Sequence, residues 1–409
     1  MDTDQIRLPY GDETISVTLP DCDVTAVKRP GGAAVDVRAA ADRALEAPHG
    51  PGITEVVAPD DAVALVVTDV TRATPDDILL DAFFSRLPGE VTADRVSVVL
   101  GLGLHRPMTD AEIQAGFGDH APLVENHDPK SARQVGEVDG VPVMLNATVD
   151  DADIVLATGM VEPHQYAGFS GGAKTVVIGA GGEPVIRYTH GPDMLSRDAV
   201  RLGRVDDNPF RDAVDRAGDV AGPDFCINVT KGPAGVLGVA AGQPRDVVGD
   251  LSATAREALS VEVAGTYDVV LAGVGAPKDA NLYQPTRALT YLVLGDHNPV
   301  REGGRVVIPA RLSEGAGEGK GERRFHERLR SAESPADLYT EMRAGYEPGA
   351  QRAFVVARAL REVEACVTNS THPEVVEECL MEARDSVAEA VAPGSDVLVV
   401  PDALNTLVV

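Results

Sequence analysis

The chain has 409 residues, 44% of them hydrophobic, with 64 acidic against 36 basic residues and a formal charge of −28 at pH 7. That length accommodates two or three domains with real cores. The acid excess argues against nucleic acid as a partner, because phosphate contacts need a basic surface. The acid is spread along the whole chain, and lysine is scarce, six against thirty arginines. This is the composition of a cytoplasmic halophilic protein, in which high salt screens the self-repulsion. Cys22, Cys226, Cys366 and Cys379 show no paired spacing and read as free thiols in a reducing compartment. No apolar run has membrane-spanning length and no leader pattern opens the chain, so a cytoplasmic protein with no membrane partner is expected.

Residues 5–19 alternate as a short hairpin turning at Gly11-Asp12, and VDVRAAADRALEA from Val35 reads as a helix. Ala62–Val67 is a continuous apolar run of the kind parallel strands show. It ends in Thr68-Asp69-Val70-Thr71-Arg72, and a helix follows from Asp76. Val96–Leu100 repeats the pattern, ending in Gly103-Leu104-His105-Arg106 before a helix from Asp110. Asp153–Ala157 repeats it again and leads into Glu162–His190.

A second series starts near Ala264. Strands are expected at Tyr267–Ala272, Gly303–Ile308 and Asp396–Val400, and helices over Ala336–Ala344 and Ala350–Val363. Gly-rich, charged 313–325 reads as a mobile loop able to close over a cleft. The alternation of strand, polar loop and helix predicts two α/β domains with mainly parallel sheets and an active site in the cleft between them. The expected division is 1–263, binding a cofactor, and 264–395, with the tail 396–409 packing back on the first domain.

The stretch around which the chain is organised is Glu162–His190. It holds His164, the run Gly168-Phe169-Ser170-Gly171-Gly172-Ala173-Lys174-Thr175, and His190. Glycines let backbone N–H groups approach an anion, and a lysine kept where arginine dominates suits covalent attachment. The run nearly spells a Walker A loop, but Ala173 occupies the place of its second glycine. A degenerate nucleotide-binding loop is therefore the alternative of another class. Asp69, Arg72, His105, Arg106 and His164 all lie just past expected strand ends, where ligands of parallel sheets bind. Two histidines suit an acid and a base near neutral pH. No GxGxxG follows the first strand, and neither GxSxG nor HExxH occurs. A nicotinamide dehydrogenase, a serine hydrolase and a zinc hydrolase are thus poorly supported.

These residues, with LPYG at 8–11, Thr109, Asn126-His127-Asp128, and Pro277–Gln284, resemble in order and spacing the nickel-dependent lactate racemase family over essentially the whole chain. The resemblance implies a racemase or epimerase of 2-hydroxy acids. Its cofactor would be a nickel-pincer nucleotide, the pyridinium-3-thioamide-5-thiocarboxylic acid mononucleotide, bound covalently to Lys174, with His190 as a nickel ligand. His105 and His164 would be the acid/base pair. Asp69, Arg72, Gly168, Ser170, Gly171 and Gly172 would lie against the cofactor. Arg72, Gln284 and Arg287 would contact the substrate carboxylate. Partners would be the small hydroxy acid and the proteins that make the cofactor. Lactate is the first expected substrate. Arg287 stands where the best-known lactate enzyme of the family has lysine, which keeps malate or a sugar acid open. Ala73 and Ile178 each replace a proline of the family pattern, a change expected to alter only backbone stiffness.

Overall fold

A computed structural model describes residues 5–89, 91, 93–345 and 349–409. The chain forms two compact units. One comprises residues 31–189 and 204–258. The other comprises 1–30, 190–203 and 259–409.

The 31–258 unit is built on a six-stranded sheet. Across it run Gly235–Gly242, Phe225–Gly232, Ile154–Met160, Val63–Thr68, Val96–Gly101 and Val124–Asn126. Every neighbouring pair is parallel except the Phe225–Gly232/Gly235–Gly242 hairpin. Val63–Thr68 is buried at all six positions, which is why it reads as an unbroken apolar run. Leu65, Val67, Val98, Leu156 and Ile227 form one core with Leu79, Leu80 and Phe83 of the helix Asp76–Phe84. The helix Asp110–Phe117 starts at a capping box: Thr109 Oγ1 accepts from Glu112 N–H at 3.3 Å, and Glu112 Oε2 accepts from Thr109 N–H at 2.8 Å.

Chain order leaves the central strand in two directions. From Val63–Thr68 the chain proceeds to Val96–Gly101 and Val124–Asn126 on one side, then crosses to Ile154–Met160 on the other. The switch point lies between Val63–Thr68 and Ile154–Met160, and in such sheets the ligand crevice opens beyond the carboxyl ends there.

The other unit has its own six-stranded sheet, all parallel. Its order is Glu382–Arg384, Glu364–Thr368, Val300–Pro309, Tyr267–Ala272, Asp396–Val400 and Asp23–Ala26. Both ends of the chain are therefore part of it, and the partition differs from a boundary at 263/264. Asp23–Ala26 belongs here because it pairs with Asp396–Val400. The tail beyond 396 is likewise internal to this unit, with Leu407–Val408 paired to Ser260–Val261. The hairpin Ile6–Tyr10/Glu13–Val17 forms as expected and contributes buried Leu8 and Val17 to this core.

The loop expected over 313–325 is partly helix. Lys320–Arg330 is helical, buries Phe325 and Leu329, and is capped by Glu322 Oε2 accepting from Gly319 N–H at 2.7 Å. Among the described residues no helix is long and apolar enough to cross a membrane.

Candidate active site

The loops after the two central strands of the 31–258 unit carry most of the expected residues. Asp69 follows Val63–Thr68 and is buried. Its Oδ2 takes a hydrogen bond from His105 Nδ1 at 2.6 Å, and its Oδ1 accepts from Thr71 N–H at 3.0 Å and from the Thr71 hydroxyl. Burial alone would raise this carboxyl's pKa. The hydrogen bonds from His105 and Thr71 outweigh it and hold Asp69 below the ordinary range.

His105 itself is half-exposed, at 55%. Its loop is fixed from two sides. Asn126 accepts from Met108 N–H at 2.8 Å and donates to Met108 C=O at 2.9 Å. Gly103 N–H donates to Gly179 C=O at 2.8 Å, which ties the loop to the segment carrying Lys174. In the same segment, buried His127 bonds Gly181 C=O through Nε2 at 2.8 Å and Asn146 Nδ2 through Nδ1 at 3.1 Å. The Asn126-His127 pair thus holds backbone.

Arg72 spans the switch point to Glu162, Nη1 to Oε1 at 3.0 Å. Glu162 was not among the residues singled out from sequence. A carboxylate two residues before a histidine gives no pattern of its own. Beside Arg72, Ala73 has a φ of +51°. Proline cannot adopt that value, so its replacement there changes the loop's path and not only its stiffness.

His164 lies in a short ribbon, Pro163-His164 against Gly168-Phe169, where it pairs with Gly168. Its Nδ1 accepts from Tyr166 N–H at 3.2 Å and Ala167 N–H at 3.1 Å. Its ring packs edge-on to Tyr166, centroids 5.5 Å apart.

The glycine run is shaped by close packing. Gly168 has φ +72°, and a Cβ there would lie 1.8 Å from Arg204 C=O. Two of the amides expected to face an anion are spent inside the protein. Ser170 N–H donates to Glu162 C=O at 2.9 Å, and Gly172 N–H to Asn228 Oδ1 at 2.8 Å. Ser170 Oγ further donates to Met160 C=O at 2.6 Å, knotting the turn to the strand end. Ala173 abuts Gly218 of the helix Pro209–Ala221, where a Cβ would lie 2.4 Å from its methyl. Asn228, fully buried, keeps its Nδ2 without a partner.

Lys174 is 9% exposed. Burial drives its amine from an ordinary value of 10.5 to about 7. The charges of Arg72 and Arg211 push the same way, and Glu162 and Asp69 oppose them. A substantial neutral fraction therefore exists near pH 7, the form that bonds covalently to an electrophile.

Buried Asp76 accepts from the hydroxyls of Thr68, at 2.7 Å, and Thr158. It stitches the ends of the two strands whose loops carry Asp69 and His164. Burial raises it to about 7, against the two threonine bonds.

His190, Gln284 and Arg287 belong to the other unit. His190 is half-buried after the helix Glu183–Thr189. Gln284 and Arg287 flank the start of the helix Thr286–Val293, with Arg287 N–H donating to Gln284 C=O at 3.0 Å. Their loop is held by buried Asp279, whose Oδ2 accepts from Gly11 N–H at 2.6 Å and Arg311 N–H at 3.3 Å. This links the early LPYG turn to the loop of Gln284.

Residues 10–203 match the family described as lactate racemase N-terminal domain. Over that stretch, and along its whole length, the chain is similar to lactate racemases. It is 25% identical to a lactate racemase of Thermoanaerobacterium thermosaccharolyticum and 24% identical to one of Lactiplantibacillus plantarum, each match covering 98% of this chain and 99% of the relative. The structure of the T. thermosaccharolyticum lactate racemase apoprotein superposes with a TM-score of 0.88 at 23% identity, over 99% of this chain and all of that one. The α/β architecture, with mainly parallel sheets, is shared with that protein.

Proposed function

We propose that the protein is a 2-hydroxy-acid racemase of the cytoplasm, with lactate as the first substrate to test and a larger hydroxy acid as the second. The observation that supports this is the Asp69–His105 hydrogen bond beyond the end of the strand Val63–Thr68, whose neighbour Ile154–Met160 leads into His164 and Lys174, in a chain similar to lactate racemases along its length.

The residues fit a covalently held cofactor. The buried Lys174 amine titrates near 7, and Asn228 Nδ2 is a buried donor awaiting an acceptor. Among the described residues no three metal-ligating side chains cluster. A nickel centre here suits a group that brings most of its own donors, with His190 as the residue that would add one. Lys174 would hold that group, loaded from the proteins that make it. When bound, it would supply an acceptor and donor of hydride.

The chain's own residues do the rest. The α-hydrogen of a hydroxy acid is a poor acid, because its carbanion would sit beside a carboxylate. Leaving as hydride avoids that carbanion, provided the hydroxyl proton is taken at the same time. His105, paired with Asp69 through Nδ1, would take it at Nε2, and His164 would serve the opposite face. Each such proton transfer contributes roughly 10²–10⁴ in rate. Arg72, Gln284 and Arg287 are the groups that would hold the substrate carboxylate, a guanidinium doing so bidentately.

The test is intact mass and nickel content of the protein made beside the cofactor-producing enzymes, followed by racemisation assays. A mass excess on the Lys174 peptide, about one nickel per chain and racemisation lost in Lys174→Ala are expected. An unmodified, nickel-free chain, or full activity in Lys174→Ala, would refute the reading.

A further inference from the structure

The two histidines of the crevice meet opposite chemistry at the same ring atom. His105 Nδ1 lies 2.6 Å from Asp69 Oδ2, a carboxylate oxygen that can only accept. His164 Nδ1 lies 3.2 Å and 3.1 Å from the backbone nitrogens of Tyr166 and Ala167, whose N–H groups can only donate. The proton on a neutral imidazole is placed by the partner of one nitrogen, and that fixes what the other nitrogen can do.

We infer that Asp69 and the Tyr166–Ala167 amides hold the two rings in opposite tautomers, so that at Nε2 His105 accepts a proton while His164 donates a hydrogen bond. The inference rests on the proposed role of these residues as the acid/base pair. Asp69 and the two amides are the positioning groups.

The consequence is an unequal start to the two directions. A hydroxyl brought against His105 meets a lone pair. Its O–H bond breaks, an N–H bond forms at Nε2, and the imidazolium stays paired with Asp69. A hydroxyl brought against His164 meets an N–H and is held without being deprotonated. To act as the base, His164 must carry its proton on Nδ1 instead and release both amide bonds. Two neutral hydrogen bonds of typical strength correspond to a factor on the order of thirty. A racemisation has an equilibrium constant of one, so kcat/KM is equal for the two enantiomers. The asymmetry then shows as kcat and KM lowered together for the enantiomer held by His164.

Long-range proton–nitrogen correlation spectra of the full ¹⁵N-labelled chain read the tautomers directly, with His105→Gln and His164→Gln identifying the two rings. The expected result is an unprotonated Nδ1 and protonated Nε2 at His164, and the reverse at His105. The same tautomer on both rings would overturn the inference. In loaded enzyme, kcat and KM should differ between enantiomers in the same direction by about ten-fold or more. Matching kcat and matching KM would also overturn it. Opposite tautomers in a loaded chain that racemises no 2-hydroxy acid would support the tautomer assignment and reject the functional reading instead.

Discussion

Replacing Lys174 by methionine should stabilise the cofactor-free protein, and the gain should depend on pH. The unfolded chain keeps this amine protonated up to its ordinary value of 10.5, whereas the folded chain releases the proton near 7. Between those values folding expels a proton, so wild-type stability rises with pH. With the two values taken as they stand, the amine costs the fold on the order of 4 kcal/mol at pH 7 and about 2 kcal/mol at pH 9, and almost nothing above pH 11. Lys174→Met keeps the side chain's length and removes the titration. Urea unfolding of both proteins at pH 7, 8, 9 and 10 reads the difference, in which all other lysines cancel. The variant should be the more stable at pH 7, with the gap closing as pH rises. A gap that stays constant from pH 7 to 10, or a variant less stable at pH 7, would refute the argument that burial keeps this amine neutral.

Asp76 should show the opposite sign. Its folded value of about 7 lies above the ordinary 3.8, so the wild type loses stability as pH rises from about 4 through 7, and Asp76→Asn should gain relative to it over that window, by up to about 4 kcal/mol. Melting temperatures at pH 5 and pH 8 decide this. Gly168→Ala should cost several kcal/mol, because its Cβ would lie 1.8 Å from Arg204 C=O. Gly140→Ala, with φ +78° and nothing within 4 Å, should cost only about 1 kcal/mol. Equal melting points for the two variants would show that the close approach at Gly168 is not tight. Asn126→Ala strips both backbone partners from Met108 and should cost about 1–3 kcal/mol. In loaded enzyme it should also lower kcat through the His105 loop, and an unchanged kcat would remove Asn126 from the positioning role.

The parallel strands were legible because strands covered on both faces are apolar along almost their whole length, as Val63–Val67 is before the buried Thr68. The Asp69–His105 pairing draws on residues that stood out for the same reason, as polar positions just past such runs. Asp69 and His105 lie 36 residues apart and still meet. The partition into units was not legible. It hinges on Asp23–Ala26, four residues of mixed exposure whose partner lies at the other end of the chain. Nor was the work of the glycines. A glycine that admits a ligand and one that admits a neighbouring carbonyl are written alike, and only Arg204 C=O and Asn228 distinguish them. Composition also hid the helix at Lys320. Its glycines and charges suggested a loop, while Glu322 and the buried Phe325 and Leu329 specify a capped helix.

The pairing of Asp23–Ala26 with Asp396–Val400 bears on how the molecule is made. During synthesis the edge strand Asp23–Ala26 emerges long before Asp396–Val400, the strand it needs. The 31–258 unit can complete its own sheet before Asp396–Val400 is made, but the other cannot close until that strand is out. A fragment beginning at residue 264 would lack that edge strand. A chain truncated before residue 396 would leave Asp23–Ala26 without its partner and the Tyr267–Ala272 edge uncovered, the kind of exposed strand that recruits other chains.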